Sequence, residues 1–490
     1  MIQVPKTWDE QTLHESLLPL ADSTVRVLPI SESYYYSLPK IRIFKSYPVL
    51  VLDSAENARY IDSLRSLDHF EYFTDEHQID EEDLVELGSH VFTAPILSFP
   101  YQDGIIDRLQ SEVENAGVRL TSSKEYPYYS YFLDETNQLN IGIFSCAMCH
   151  TRVTDDGLVI KGAQGNYPMD RRDGWRNQLR VARSSADEVP ELNQQIRDGR
   201  KSIQWAPWIN HPFQKELDTL SAEQIAAYQK AIPPGVMIRH GTNFNQPASI
   251  PDLIGIKDRK YMDATGLMIH RSEIDIMRYA AFNQNADMLT RYGDFIPSGN
   301  GFKDLPETGE GTFIGTDRRY SDIQLYALAK YLYSLEPPKN PEMADAQIVA
   351  EGELIFKREG CVTCHTPPLY TNNMLTPVDG FIPPQSHLEK YDVFDISVET
   401  DPSLALYTRR GTGYYKIPSL KGLWYRGPFG HSGHVATLED WFDSNRLNEN
   451  YVPTGFKPPQ LETMAVQGHE FGLDLSEDEK MALITFLKTL

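Results

Sequence analysis

Cysteine and histidine recur in this chain in one spacing, twice: Cys146-Ala147-Met148-Cys149-His150 and Cys361-Val362-Thr363-Cys364-His365. Two thiols spaced by two residues can add to the two vinyl groups of one porphyrin, and the adjoining imidazole then takes the proximal place under its iron. A Cys-x-x-Cys pair can also be half of a zinc site or a redox dithiol. Zinc would require the two pairs to meet, and it would not require a histidine after each. The chain has four cysteines, all inside these motifs. The pattern points to two covalently bound haems c, attached at Cys146 and Cys149 and at Cys361 and Cys364, with His150 and His365 as proximal ligands.

The sixth coordination position separates two kinds of behaviour. A haem ligated on both faces moves electrons, whereas an open one binds peroxide or dioxygen. Gly468-His469-Glu470-Phe471-Gly472 precedes the end of the chain, and the related place in the first half reads Gly311-Thr312-Phe313-Ile314-Gly315. His469 is therefore the candidate distal ligand of the second haem. Thr312, which does not ligate haem iron in any ordinary way, leaves the first haem without an equivalent. Two alternatives stay open: His469 is a loop histidine, or Met464 is the ligand, whose thioether would raise the potential relative to a second imidazole.

Peroxide cleavage at an open iron needs a base to shift a proton and a cation or donor to stabilise the leaving oxygen. His270, Arg271 and Glu273, within Thr265-Gly266-Leu267-Met268-Ile269-His270-Arg271-Ser272-Glu273, are residues of the right kind, and His240 is a further candidate. Glu273 also starts an apparent helix, where an acidic residue simply favours the dipole. His270 is equally able to ligate the first haem and close it. Trp205 and Trp208 are the better candidates for a conduit between the irons, with Trp424 and Trp441 in the second half; each has a place in the core as its alternative.

The elements that must position these residues recur as well. Ser476 and Glu479 form a capping box for a helix carrying Ala482, Leu483, Phe486, Leu487 and Leu490 at helical spacing. Ser321 to Leu335 matches it without a gap, with Gln324 in place of Glu479. Gly352-Glu353-Leu354-Ile355-Phe356 before the second motif pairs with Gly88-Ser89-His90-Val91-Phe92 before the first. Ile417-Pro418-Ser419-Leu420-Lys421-Gly422 pairs with Ile250-Pro251-Asp252-Leu253-Ile254-Gly255. Each half thus runs helix, haem motif, Ile-Pro-x-Leu-x-Gly segment, closing helix, the order in which a first and a last helix pack together around a haem. The halves differ in length: 58 positions separate Gly88 from Cys146, against 9 from Gly352 to Cys361. The extra residues include Tyr126-Pro127-Tyr128-Tyr129-Ser130-Tyr131. Such insertions serve as substrate-handling loops or as surface decoration.

With 490 residues, 41% hydrophobic and 23% charged, the composition is globular, and no apolar run is long enough to cross a bilayer. A formal net charge of −23 argues against nucleic acid and anionic lipid. It favours a cationic protein partner or serves solubility. Met1-Ile2-Gln3-Val4-Pro5-Lys6 carries no signal-peptide pattern. Bacterial haem c attachment takes place outside the cytoplasmic membrane, so a periplasmic or extracellular location is expected, with an export signal already removed.

The stretch Gly413-Tyr414-Tyr415-Lys416-Ile417-Pro418-Ser419-Leu420, followed by Gly427-Pro428-Phe429-Gly430-His431-Ser432-Gly433 and Ala436-Thr437-Leu438-Glu439, resembles the bacterial dihaem cytochrome c peroxidase superfamily. The resemblance covers residues 340 to 490 well and the first half loosely. It implies that His431 stands beside the second haem without ligating it, and that a calcium ion lies between the domains, although no ligand set here specifies one. The long first domain and the Gly-His-x-Phe-Gly segment look closer to the rubber-oxygenase branch, which implies an oxygen-binding first haem and a bis-histidine second haem. The distal Glu-bearing loop of the short peroxidases is not found, which puts their peroxide reduction in doubt. The maturation type of dihaem enzyme would be expected to carry a tyrosine in place of His469.

The expected fold is mainly α, with two cytochrome c-type haem domains in tandem, the first enlarged by long loop-rich insertions. Residues 1–78 form an N-terminal wrapping segment, 79–336 the first domain and 337–490 the second, divided at the proline-rich linker near Leu335 to Pro341. The expected function is a dihaem oxidoreductase whose first haem activates hydrogen peroxide or dioxygen and whose second transfers electrons from a small donor cytochrome. The alternative is an electron-transfer cytochrome with no substrate of its own.

Overall fold

The computed structural model describes residues 2–75, 78–283, 290–293, 295, 297 and 318–490. Two helix crossings organise it. In the first half Leu84–Thr93 packs across Asp322–Ser334, and in the second Ala346–Arg358 packs across Glu477–Leu487. Both closing helices start with a capping box. The hydroxyls of Ser321 and Ser476 accept from the backbone N–H of Gln324 and Glu479, whose side chains accept from the serine N–H in return. Two of the donors that every helix start leaves unpaired are satisfied in this way.

The two crossings share their geometry. A Cβ placed on Gly88 would lie 2.0 Å from the Ala327 carbonyl oxygen, and one on Gly352 would lie 2.0 Å from that of Ala482. Tyr331 and Phe486, at matching places in the closing helices, come within 2.7 Å of the same points. Only glycine lets backbone meet backbone so closely. Four residues on, Phe92 and Phe356 are buried beside the contact. The Ile-Pro-x-Leu-x-Gly segments also match. Gly255 and Gly422 adopt φ +72° and +74° and each begins a short 3-10 turn, a left-handed conformation that a residue with a Cβ adopts at a cost.

The insertion in the first half departs from the loops expected of it. It builds a four-stranded antiparallel sheet from β1 (Ser46–Leu50), β2 (Leu97–Pro100), β3 (Glu125–Leu133) and β4 (Leu139–Ile143), in the order β1-β3-β4-β2. Aromatic side chains suit a pleated, packed surface, and Tyr126, Tyr128, Tyr129 and Tyr131 of β3 are all buried. "Mainly α" therefore describes the crossings and the second half, while the first half is helix plus sheet.

Residues from the N-terminal segment enter the first half's core. Trp8 stacks on Tyr35 at 4.6 Å and shares an apolar cluster with Val91, Phe92, Leu325 and Leu328; β1 forms one edge of the sheet. The chain leaves Asp322–Ser334 in extended conformation at Leu335 and enters the proline-rich stretch, where the Trp424 indole N–H donates to Pro338 O at 2.8 Å. The two halves interlock through the loop before Gly413. Fully buried Arg409 donates to the carbonyls of Ser202 and Ile203, and Arg410 donates to Asp263 and Asn283.

Replacing Gly88 or Gly352 by alanine should destabilise the fold by about 1–3 kcal/mol, the usual cost of overpacking a filled site. Urea unfolding of the haem-loaded protein measures this, and an unchanged midpoint would mean that the crossing has room for a methyl group.

Candidate haem centres

Each Cys-x-x-Cys segment closes as a single turn. The His150 N–H donates to Cys146 O at 3.0 Å, and the His365 N–H donates to Cys361 O at 2.8 Å. Residues three apart on such a turn share a face, so each pair of thiols points to one side. None of the four cysteines is joined to another. Burial pushes the free Cys146 and Cys361 thiols up to about 11 and also raises those of Cys149 and Cys364.

Backbone carbonyls aim the proximal imidazoles. His150 Nδ1 lies 3.0 Å from Pro251 O, and His365 Nδ1 lies 3.1 Å from Pro418 O and 3.2 Å from Tyr370 O. The Nδ1 proton makes these bonds, which leaves the Nε2 lone pair for a metal. Burial keeps both rings neutral. It lowers His150 to about 4, with the Arg239 charge adding to the effect, and it lowers His365 as well.

Above His365 is a cavity of about 640 Å³, a size usual for cofactor pockets. Phe356, Leu423, Phe442, Phe471, Leu483 and Leu487 line its apolar side. His469 faces His365 with ring centroids 6.4 Å apart. Two imidazole–metal bonds of about 2 Å, with roughly 1 Å more from each nitrogen to its ring centre, span about 6 Å. The gap accepts one iron between the rings. His469 adopts φ +49° directly after Gly468 at +80°. Arg446 holds this kink by donating to His469 O at 2.8 Å, while His469 N–H donates to Val398 O at 2.7 Å. Burial first, then the nearby His365, lowers His469 to about 4, so it too is a neutral lone-pair donor. Met464 also lines the cavity, but the ring opposite His365 is that of His469.

His431 stands in the cavity wall, stacked on Tyr415 at 3.5 Å with its Nε2 3.0 Å from Thr400 Oγ1. At the polar end lie Arg259 and Asp252 from the first half and Lys416 and Arg426 from the second. Arg259 Nε, Arg426 Nε and Asp252 Oδ2 are buried without a hydrogen-bond partner. Burial, reinforced by the Arg259 charge, brings Lys416 down to about 7. Arg259 and Arg426, with Lys416 as a further donor, suit the propionates of a haem, while Asp379, Glu399 and Asp401 also line the cavity. Sequence reasoning did not single these residues out, although Asp252 and Lys416 sit inside the Ile-Pro-Asp and Tyr-Lys-Ile-Pro stretches. Together the thiols, the paired imidazoles, the apolar wall and the cationic end fit a haem c at the second motif.

At the first motif the same turn and the same proline contact recur. Its proposed open side, Gly311 to Gly315 with Thr312, lies outside the described residues. The three proposed catalytic residues have their partners among the described residues. His270 has both ring nitrogens committed, Nδ1 to Arg259 O at 2.5 Å and Nε2 to Tyr333 Oη at 2.6 Å. Arg271 forks onto Asp275, and Glu273 pairs with Lys330 at 3.1 Å at the start of the helix Glu273–Phe282. Each is thus held by a named partner. His240, at φ +56°, acts electrostatically on Asp263, which also pairs with Arg410. Trp205 is partly exposed, and Trp208 packs on Tyr292 and Phe295. Trp441 instead packs on His469 at 5.4 Å, and Trp424 sits at the seam between the halves with Ile160, Ile254 and Leu335. Among the described residues no group of three or more His, Cys, Asp or Glu side chains is placed to hold a metal ion, and no helix is long and apolar enough to cross a membrane.

No family model and no curated protein matches the chain. Several solved structures overlap part of it. One is the hydrazine synthase of Kuenenia stuttgartiensis, 16% identical with TM-score 0.32, covering 62% of this chain and 92% of that one. Another is a MauG-like protein associated with microbial copper homeostasis, 18% identical with TM-score 0.31, covering 62% and 88%. Overlap this slight carries no argument about fold or activity, so the functional reading rests on the geometry of the two sites.

Proposed function

We propose that the chain is a dihaem c-type oxidoreductase of the periplasm or cell exterior. The haem at Cys146–His150 is the reacting one, taking hydrogen peroxide (or dioxygen), and the haem at Cys361–His365 transfers electrons. The observation that carries this reading is the pairing of His365 with His469 across a haem-sized gap, since an iron held by two imidazoles has no position left for an oxidant. When bound, each haem would supply an iron that changes oxidation state, and the one held by Cys146, Cys149 and His150 would be where the oxidant reacts.

The chain's own residues set the difference between the two sites. The Nδ1–H bonds of His150 and His365 to proline carbonyls fix ring orientation and raise ligand basicity. His469 closes the second site, Arg446 keeps its loop in the kinked conformation, and His431 is tied to Thr400 and Tyr415. Arg259, Lys416 and Arg426 supply positive charge where the two halves meet. The net charge of −23 suits a small cationic redox protein as electron donor, steered by long-range attraction, and disfavours nucleic acid.

Electron paramagnetic resonance of the dihaem protein tests the assignment. One low-spin bis-imidazole centre and one high-spin centre that binds cyanide are expected. Two low-spin centres that ignore cyanide and peroxide would instead identify an electron carrier. In His469→Ala the low-spin signal should convert to a species that takes up free imidazole, while His469→Met should keep a six-coordinate centre at a higher potential. A low-spin signal unaffected by His469→Ala would remove His469 from the coordination sphere.

A further inference from the structure

The tyrosines of the inserted sheet carry chemistry that the haem sites do not use. Tyr126, Tyr128 and Tyr129 of β3 and Tyr167 are buried together, with ring centroids 4.9 Å apart for Tyr126 and Tyr129 and 4.6 Å apart for Tyr128 and Tyr167. Phenylalanine would fill the same space without a hydroxyl to satisfy, and an unpaired buried hydroxyl is costly. Here three of the hydroxyls form one directed run. Arg172 Nη1 donates to Tyr129 Oη at 2.6 Å and to Tyr167 Oη at 2.8 Å. A guanidinium cannot accept, so both phenolic protons must point elsewhere. Tyr129 and Tyr167 are 3.0 Å apart, Tyr167 and Tyr126 are 3.3 Å apart, and Tyr126 Oη donates to Glu112 Oε2 at 2.8 Å. Glu112 is fully buried and paired with Arg176. The run therefore has a cation at one end and a proton acceptor at the other.

It also abuts the first haem motif. Met148, between Cys146 and Cys149, is buried in the same apolar cluster as the four tyrosines. The backbone at Gly165 presses on the Cys149 carbonyl, where an added Cβ would come within 2.0 Å. Asn166 and Tyr167 follow directly, and Asn166 Oδ1 accepts from Tyr128 at 3.1 Å.

We propose that Tyr126 is a redox-active tyrosine that gives an electron to the haem centre at Cys146–His150 and its phenolic proton to Glu112, with Tyr167 and Tyr129 as the hydrogen-bonded relay behind it. This rests on the reading that this centre reacts with hydrogen peroxide. Peroxide takes two electrons and two protons as its O–O bond breaks, leaving two waters. Those electrons would be drawn through the Cys146–His150 site, with Tyr126 returning one and the donor protein the other, and the two protons would come from solvent. In that step the Tyr126 O–H bond breaks, the proton forms a carboxylic acid on Glu112, and the ring is left as a neutral radical. A later electron from the donor protein, with the proton from Glu112, restores the phenol. Burial raises Tyr126 well above the ordinary tyrosine range, so its proton leaves with the electron rather than ahead of it.

The test is freeze-quenched electron paramagnetic resonance of the dihaem protein mixed with hydrogen peroxide, with and without ring-deuterated tyrosine. The expected result is a tyrosyl signal that narrows on deuteration, is lost in Tyr126→Phe, and survives in Tyr129→Phe, which leaves the Tyr126–Glu112 contact whole. Both variants conserve volume, and normal haem content establishes that they fold. If peroxide alters the haem spectrum without any tyrosyl signal, or the signal is undiminished in Tyr126→Phe, the relay is wrong. A second arm replaces peroxide with a photogenerated ruthenium(III) polypyridyl oxidant. A Tyr126-dependent radical there, with no haem response to peroxide, overturns the peroxide reading and keeps the redox-active tyrosine; its absence in this arm overturns the tyrosine as well.

Discussion

In each half, the histidine that follows the second cysteine donates its Nδ1 proton to the carbonyl of a proline far along the chain, 101 positions away for His150 and 53 for His365. Much else depends on that bond. It ties the haem-bearing turn to the Ile-Pro-x-Leu-x-Gly segment, sets which ring nitrogen keeps its lone pair, and so decides which way a metal can approach. The helix crossings serve the same end. Backbone contact at Gly88 and at Gly352 brings the first and last helices of each half together, and in the second half the motif and the proline segment meet over one cavity.

The cavity of the second half belongs to both halves. Its thiols, both facing imidazoles and most of its apolar wall come from residues after 350, while Ile250, Pro251, Asp252 and Arg259 come from the first half. Charge explains the arrangement. A group with an apolar ring and acidic edges needs burial on one side and cations on the other, and the seam between two packed halves offers both. Trp424, next in sequence to the cavity-lining Leu423, packs in the cluster containing Ile254, three residues beyond the proline that holds His150.

Enlargement of the first half added a packed sheet, and its interior is unusually rich in hydroxyl groups. Buried hydroxyls are costly unless paired; those of Tyr129, Tyr167 and Tyr126 are paired, while Tyr131 Oη has no hydrogen-bond partner. Arg172 and Glu112 do that pairing from opposite ends, which gives the network a direction as well as stability. The insertion therefore places tyrosines in the same cluster as Met148 of the first Cys-x-x-Cys-His motif.

Several features were legible in the amino-acid sequence alone: the two Cys-x-x-Cys-His motifs, the order of elements in each half, both capping boxes and the candidacy of His469. These depend on local chemistry and on a repeat that can be aligned residue by residue. Other features required the tertiary structure. The partners of His270, Arg271 and Glu273, which are Tyr333, Asp275 and Lys330, include contacts as far as 63 positions apart that spacing does not encode. Arg259, Lys416 and Arg426 gave no sequence signal of their own, because a cationic pocket exists only where two halves bring like charges together. The tyrosine run was visible as a string of residues, but the direction of its hydrogen bonds was not, since that depends on Arg172 and Glu112 approaching from separate helices. Short-range spacing determines what a residue can do; long-range contacts decide which of its groups remain available to do it.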